Sequence, residues 1–305
     1  MVTLAPLLAL CAAAAFGGSV AMQQRAASAV PRRYALRVGL LLRVARKPVW
    51  LLGLACSLIG FILHAAALRL GSLVLVQPIM ATSLVFALAF VALGEREKPL
   101  RSEWLAVLAV ITGLVSFLIL AAPEVKTYSS ANTQAWWTYA ALAVTLVGFA
   151  AARTRAVVGR RRALWLGLAA GLANGVVAVL TKAFAETLEG GLVQVPAHWP
   201  FWALLAAGIP AVILVQTVYQ SGNLSVSLPV IAVVEPFFAA VTGVILLSET
   251  LSLERGQWVG VVVSATLMAS GLWSLAASPR LARPLSSTPG EGSVVYAAPV
   301  QGQLP

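Results

Sequence analysis

Nine unbroken apolar runs of 17 to 22 residues dominate the chain, at about 2 to 22, 49 to 68, 73 to 93, 104 to 122, 136 to 152, 164 to 185, 201 to 220, 226 to 247 and 258 to 275. At about 1.5 Å per helical residue, each is long enough for a hydrocarbon core roughly 30 Å thick. Inside a bilayer the backbone must satisfy its own N–H and C=O groups, so each run is expected to be a helix. Strands of a membrane barrel would alternate apolar and polar residues, which these runs do not. Composition agrees: 60% of the 305 residues are hydrophobic, 10% are charged and the mean hydropathy is +0.91, unlike a soluble globule. The predicted fold class is an all-α, polytopic membrane protein of about nine transmembrane helices.

Basic residues set the expected orientation, because Lys and Arg of short loops stay on the cytoplasmic side. With the N-terminus outside, inner loops carry seventeen cations: Arg25 to Lys47, Arg96 to Arg101, Arg153 to Arg162, and Arg280 with Arg283. Outer loops hold only Arg69, Lys126 and Arg255, while Lys182 falls within a span. A multi-pass protein of the plasma membrane, N-terminus outside and C-terminus cytoplasmic, is expected. The net charge of +11 is then a topology signal plus attraction to anionic lipid headgroups, and no nucleic-acid partner is implied. The first run has no basic residue before it and seven cations after it, so it reads as a retained helix rather than a signal peptide. Residues 31 to 47 contain a five-residue apolar run between Arg37 and Arg43, too short to cross, and an amphipathic helix on the inner leaflet is expected. Cys11 and Cys56 lie in apolar spans and offer no disulfide framework, and the nine Trp fall near span ends as interfacial anchors.

Part of the chain is written twice. Residues 48 to 104 and 200 to 258 align so that Trp50 matches Trp202, Gly71 matches Gly222, Pro78 matches Pro229, Glu95 matches Glu249 and Trp104 matches Trp258. Five crossings separate the copies, an odd number, so they are inverted in the membrane, as in many secondary transporters. The expected halves are 1–152, with a first repeat at 48–122, and 153–275, with a second at 200–275. Residues 276–305, rich in Pro, Ser and Gly, are expected to be a disordered cytoplasmic tail. The offset between copies grows from 151 residues at the prolines to 154 at the glutamates, an extra turn that brackets Glu235 and Pro236.

Two inverted copies of a proline-containing helix ending in Leu-x-Glu, each followed by a Trp- or Gly-initiated helix, resemble the drug/metabolite transporter (DMT) superfamily of EamA-like proteins. Most members have ten helices, whereas here the basic stretch 31 to 47 stands where a second helix is expected. The nine-helix layout is similar to the NIPA-type magnesium transporters, including the 20-residue distance from Pro229 to Glu249 and Lys182 near the end of the sixth helix. The resemblance spans about residues 1 to 275. It implies transport by alternating access, of magnesium if the NIPA-type likeness extends to function.

Ionisable groups in hydrocarbon are costly and mark pathways. Glu235 is the sole acidic residue deep in a span, where a carboxylate either keeps a proton or meets a cation, and its roles are proton coupling or cation contact against a protonated structural group. Lys182 is either a snorkelling cation paired with Glu186 at i,i+4 or a substrate-facing charge. Asn174 sits in GLAAGLANG, whose Gly167, Gly171 and Gly175 offer a small-residue face for close helix approach. Gln216, Tyr219 and Gln220, with Gln77 and Ser83, supply uncharged polar groups. Together these suit a small polar solute or a cation as partner. His64 reads as a satisfied histidine near the outer interface, and Glu95 and Glu249 as helix-end groups or gates. There is no Asp, no metal-ligand pair of useful spacing, no P-loop and no nucleophile elbow, so neither an enzyme nor a resident cofactor is expected. The expected function is secondary transport of a small polar solute, with a NIPA-like divalent cation transporter or a non-transporting membrane scaffold as alternatives.

Overall fold

A computed structural model describes residues 4–28, 30–31, 34–95, 100–121, 133–188, 192–221, 224–247 and 257–278, and these are helical apart from short connections. The helices are α1 (Leu4–Ser28), α2 (Val38–Val44), α3 (Pro48–Leu70), α4 (Leu73–Ala81), α5 (Ser83–Glu95), α6 (Arg101–Ala121), α7 (Thr133–Ala156), α8 (Gly159–Thr187), α9 (Trp199–Ser221), α10 (Leu224–Leu246) and α11 (Gln257–Ala276), with a 3₁₀ turn at Leu192–Ala197 before α9. Among the described residues, nine helical segments are long and apolar enough to cross a bilayer. The chain is a multi-pass membrane protein. Gly222, Glu249, the Glu95 side chain, the tail from residue 279 and the loop cations Arg32, Arg33, Arg96, Lys98, Lys126, Arg255, Arg280 and Arg283 lie outside the described residues.

Three expectations need adjustment. The span at 73 to 93 is two helices rather than one: α4 contains Pro78 and ends at Ala81, and the backbone tightens at Thr82. There both the amide and the hydroxyl of Thr82 donate to the Ile79 carbonyl, at 3.0 and 2.6 Å, and α5 begins at Ser83. In the stretch 31 to 47 only Val38–Val44 is α-helical, and it is tucked under the bundle: Leu40 and Val44 are buried while Val38 and Leu42 are exposed. Its lead-in is pinned by the Leu36 amide, which donates to Thr217 Oγ1 at 3.0 Å, and by Arg43, which lies 3.9 Å over the Tyr34 ring. Trp50 is buried, unlike the exposed Trp104, Trp137, Trp199, Trp202, Trp258 and Trp273, so one of the supposed anchors belongs to the core.

Small residues decide which helices meet. With no hydrophobic drive between helices in lipid, close packing supplies the attraction, and alanine and glycine permit it. Ala5, Ala9, Ala12 and Ala13 are buried on α1, which packs on α3, α4, α5 and α9. Helix α8 packs on α3, α7, α9 and α10; α4 lies against α10, and α6 against α11. The α8–α10 approach runs along Gly167, Gly171 and Gly175. A Cβ at these positions would fall 2.7 Å from the Ser227 carbonyl oxygen, 2.9 Å from the Val234 Cβ and 2.8 Å from the Phe238 ring. The α6–α11 crossing is as tight, with a Cβ on Gly113 2.5 Å from the Met268 amide and one on Gly271 2.8 Å from the Ala106 carbonyl. Helix α7 rests mainly on α8 and buries least of the nine segments.

Candidate functional site

The close approach of α8 to α10 is what brings two of the sequence candidates together. Glu235 is the twelfth of the 23 residues of α10, at its midpoint, and Asn174 stands between the interface glycines of α8. Asn174 Nδ2 donates to Glu235 Oε2 at 3.0 Å. Pro236 follows at once and cannot donate to the carbonyl of Ala232, so the carboxyl sits beside backbone that the helix ladder does not fully use. Tyr219 of α9, itself buried, lies within electrostatic reach of Glu235. A half-buried carboxyl held by one amide retains acceptor capacity on both oxygens, so it can carry a proton or meet a cation.

The other candidates are engaged elsewhere. Gln216 opens a directional chain across three helices: its Nε2 donates to Gln23 Oε1 at 2.5 Å, and Gln23 Nε2 donates to Ser57 Oγ at 2.7 Å. Ser57 Oγ then donates to Ser19 Oγ at 3.0 Å, and Ser19 Oγ to the Phe16 carbonyl at 2.8 Å. The relay uses the amide nitrogen of Gln216, and its Oε1 stays buried and, among the described residues, without a partner. One turn on, Gln220 Nε2 donates to the Val30 and Pro31 carbonyls, and its Oε1 is in the same condition. Gln77, almost fully buried on α4, lies 3.5 Å from His64 Nε2, and the His64 ring packs edge-on against Phe16. Ser83 opens α5 where α1 comes close, its carbonyl 2.6 Å from where a Cβ on Gly17 would sit.

Lys182 neither snorkels nor stands free. Its buried ammonium donates to the carbonyls of Leu68 at 2.5 Å and Gly71 at 3.0 Å, and pairs with Glu186 at 3.1 Å. A helix C-terminus exposes unpaired carbonyls and partial negative charge, and Lys182 supplies the complement to the end of α3. Its three N–H bonds are all used. Sequence reading also missed Gln23, since α1 runs six residues beyond the apolar run that marked it, passed over Ser19 and Ser57 inside their runs, and missed Glu103, which caps α6 by accepting from the Leu100 amide at 2.7 Å and from the Ser278 hydroxyl. The signal for Glu103 was present: an acidic residue in a first turn is the usual partner of a helix N-terminus. Among the described residues no group of three or more His, Cys, Asp or Glu side chains is arranged to hold a metal ion.

No family model matches the chain, and no solved structure matches it. An uncharacterized protein of Corynebacterium glutamicum is 26% identical over 268 residues, which cover 87% of this chain and 92% of that relative.

Proposed function

We propose that this protein is a secondary transporter that moves a small polar solute across the plasma membrane by alternating access, with Glu235 as its coupling or substrate-contacting residue. The observation that carries the reading is the Asn174–Glu235 bond at the middle of α10, a polar pair that hydrocarbon would not tolerate without a use. Inverted repeats are the second element of the proposal, and the packing supports them. If α3, α4–α5 and α6 correspond to α9, α10 and α11, then the α4–α10 and α6–α11 contacts each join a helix to its own counterpart. The correspondence extends to a fourth helix: GSVAMQQRA of α1 lines up with GVVAVLTKA of α8, setting Arg25 against Lys182. Contacts of α1 with α3 and α9 then mirror those of α8 with α9 and α3. Membership of the drug/metabolite transporter superfamily, a non-enzymatic role and an N-outside, C-inside orientation belong to the same proposal. Within it, a neutral or cationic organic solute fits the donors and acceptors near Glu235 better than magnesium, which prefers several carboxylates around a hydrated ion.

The test is transport in proteoliposomes under an imposed pH gradient, with a panel of amines, amino acids, sugars and Mg²⁺. Glu235→Gln, which keeps the Asn174 contact through its amide oxygen, is expected to fold and insert normally while losing the pH dependence of uptake or exchange. Unchanged transport and pH dependence in both Glu235→Gln and Glu235→Ala would reduce the carboxyl to a structural group.

A further inference from the structure

A cavity of about 1110 Å³ lies between α7, α8 and α9, on the face of α8 turned away from Asn174. Its walls are the methyl groups of Ala140 and Ala143 on α7 and Ala203 and Ala206 on α9, and Leu180 forms part of the back. At one end of the cavity the rings of Trp136 on α7 and Trp199 on α9 cross edge to face with centroids 4.8 Å apart, and alanines of both helices line it beyond that pair. Thr133, Glu186, Thr187 and His198 of the lining gather at the same end, while Tyr139, whose ring stacks on Phe238 of α10, lines the cavity further along α7. The cavity is therefore an alanine shaft with a polar, tryptophan-roofed head.

Water suits such a shaft poorly, because beyond the head the Tyr139 hydroxyl falls short of the two to four polar partners a buried water needs. Hydrocarbon suits it. Tryptophan pairs are a marker of headgroup level, and from Thr133 to Val144 a helix rises about 16 Å, half of a hydrocarbon core of roughly 30 Å. The shaft is one leaflet deep. The described residues of the lining include no lysine or arginine, and the lining Glu186 is paired with Lys182 at 3.1 Å, so none of them attracts an anionic headgroup.

We propose that this cavity is a lipid site, holding one zwitterionic phospholipid of the leaflet that faces away from the basic loops, with an acyl chain in the alanine shaft and the headgroup beside Thr133, Thr187 and His198. The site is separate from Glu235 and does not depend on transport.

The experiment is native mass spectrometry of the full chain released from nanodiscs containing equal amounts of phosphatidylethanolamine and phosphatidylglycerol. One phosphatidylethanolamine is expected to survive activation that strips the remaining lipid. Ala143→Trp and Ala206→Trp fill the shaft and are expected to lower that bound population at least tenfold, while Val262→Trp, on an exposed face of α11, leaves it unchanged. Equal retention by all three variants, no retention by the parent chain, or a tenfold preference for phosphatidylglycerol would overturn the assignment. A measurement free of variants guards against misfolding: a diazirine-bearing phosphatidylethanolamine should label α7 and α9 peptides along the shaft, and labelling spread evenly over all exposed helices would count against the site.

Discussion

At the scale of single residues, Glu235 and Lys182 show how differently two charges in apolar sequence are used. Glu235 keeps free acceptor capacity beside one amide, whereas Lys182 spends every donor on two carbonyls and Glu186. Lys182→Met is accordingly expected to lower stability by about 3 kcal/mol, since it strands a partly buried Glu186 and uncovers the end of α3. Lys182→Arg should recover only part of this, because a planar fork does not match three donors spread about one nitrogen. Thermal unfolding of purified protein in detergent measures both. Glu235 stood out in the sequence as a lone acid in mid-span, and the glycines on either side of Asn174 implied a close crossing on that face of α8. The role of Lys182 was not legible. Its carbonyl partners lie more than a hundred residues away, and a local reading sees only the i,i+4 Glu186. Gln23 escaped notice for a related reason: polar residues just past an apolar run look like loop until the helix is seen to continue.

At the scale of elements, glycine spacing proved a better guide to packing than proline position did to helix continuity. The stripe Gly167, Gly171, Gly175 anticipated the α8–α10 crossing, because a four-residue repeat of missing side chains leaves a groove along one helix face. Gly171→Leu must push the Val234 side chain aside, and Val234 is branched at the contact, so a loss of about 1–3 kcal/mol or failure to insert stably is expected. The same substitution at Gly148, which has open space around it, is expected to be tolerated, and detergent melting of the two variants side by side checks the contrast. Prolines were harder to read. Pro78 and Pro229 occupy the sixth residue of α4 and α10, yet the first helix breaks at Thr82 while the second runs on through two prolines. A proline removes one hydrogen bond in either case, and the neighbouring helices decide whether the chain stops.

At the scale of the whole molecule, orientation is the property most open to direct test. A reporter after Pro305 is expected to be cytoplasmic and an epitope before Met1 accessible from outside. The opposite result would remove the basis for assigning the lipid site to its leaflet and for the N-outside proposal. The places of the apolar spans were legible to within about two turns among the described residues, because hydrocarbon thickness fixes their length. Depth within the bundle was not, as the burial of Trp50 and of Leu40 and Val44 on α2 shows, since burial depends on neighbours far along the chain. The sparsely buried α7 acquires a meaning here. A tandem duplicate of a unit that crosses four times would return to the side where it began, and both copies would point the same way. One added crossing reverses the second copy. On the proposed correspondence α7 is that crossing, a helix whose contribution is parity: it can rest loosely against α8 because its presence, rather than its packing, sets which way everything after it faces.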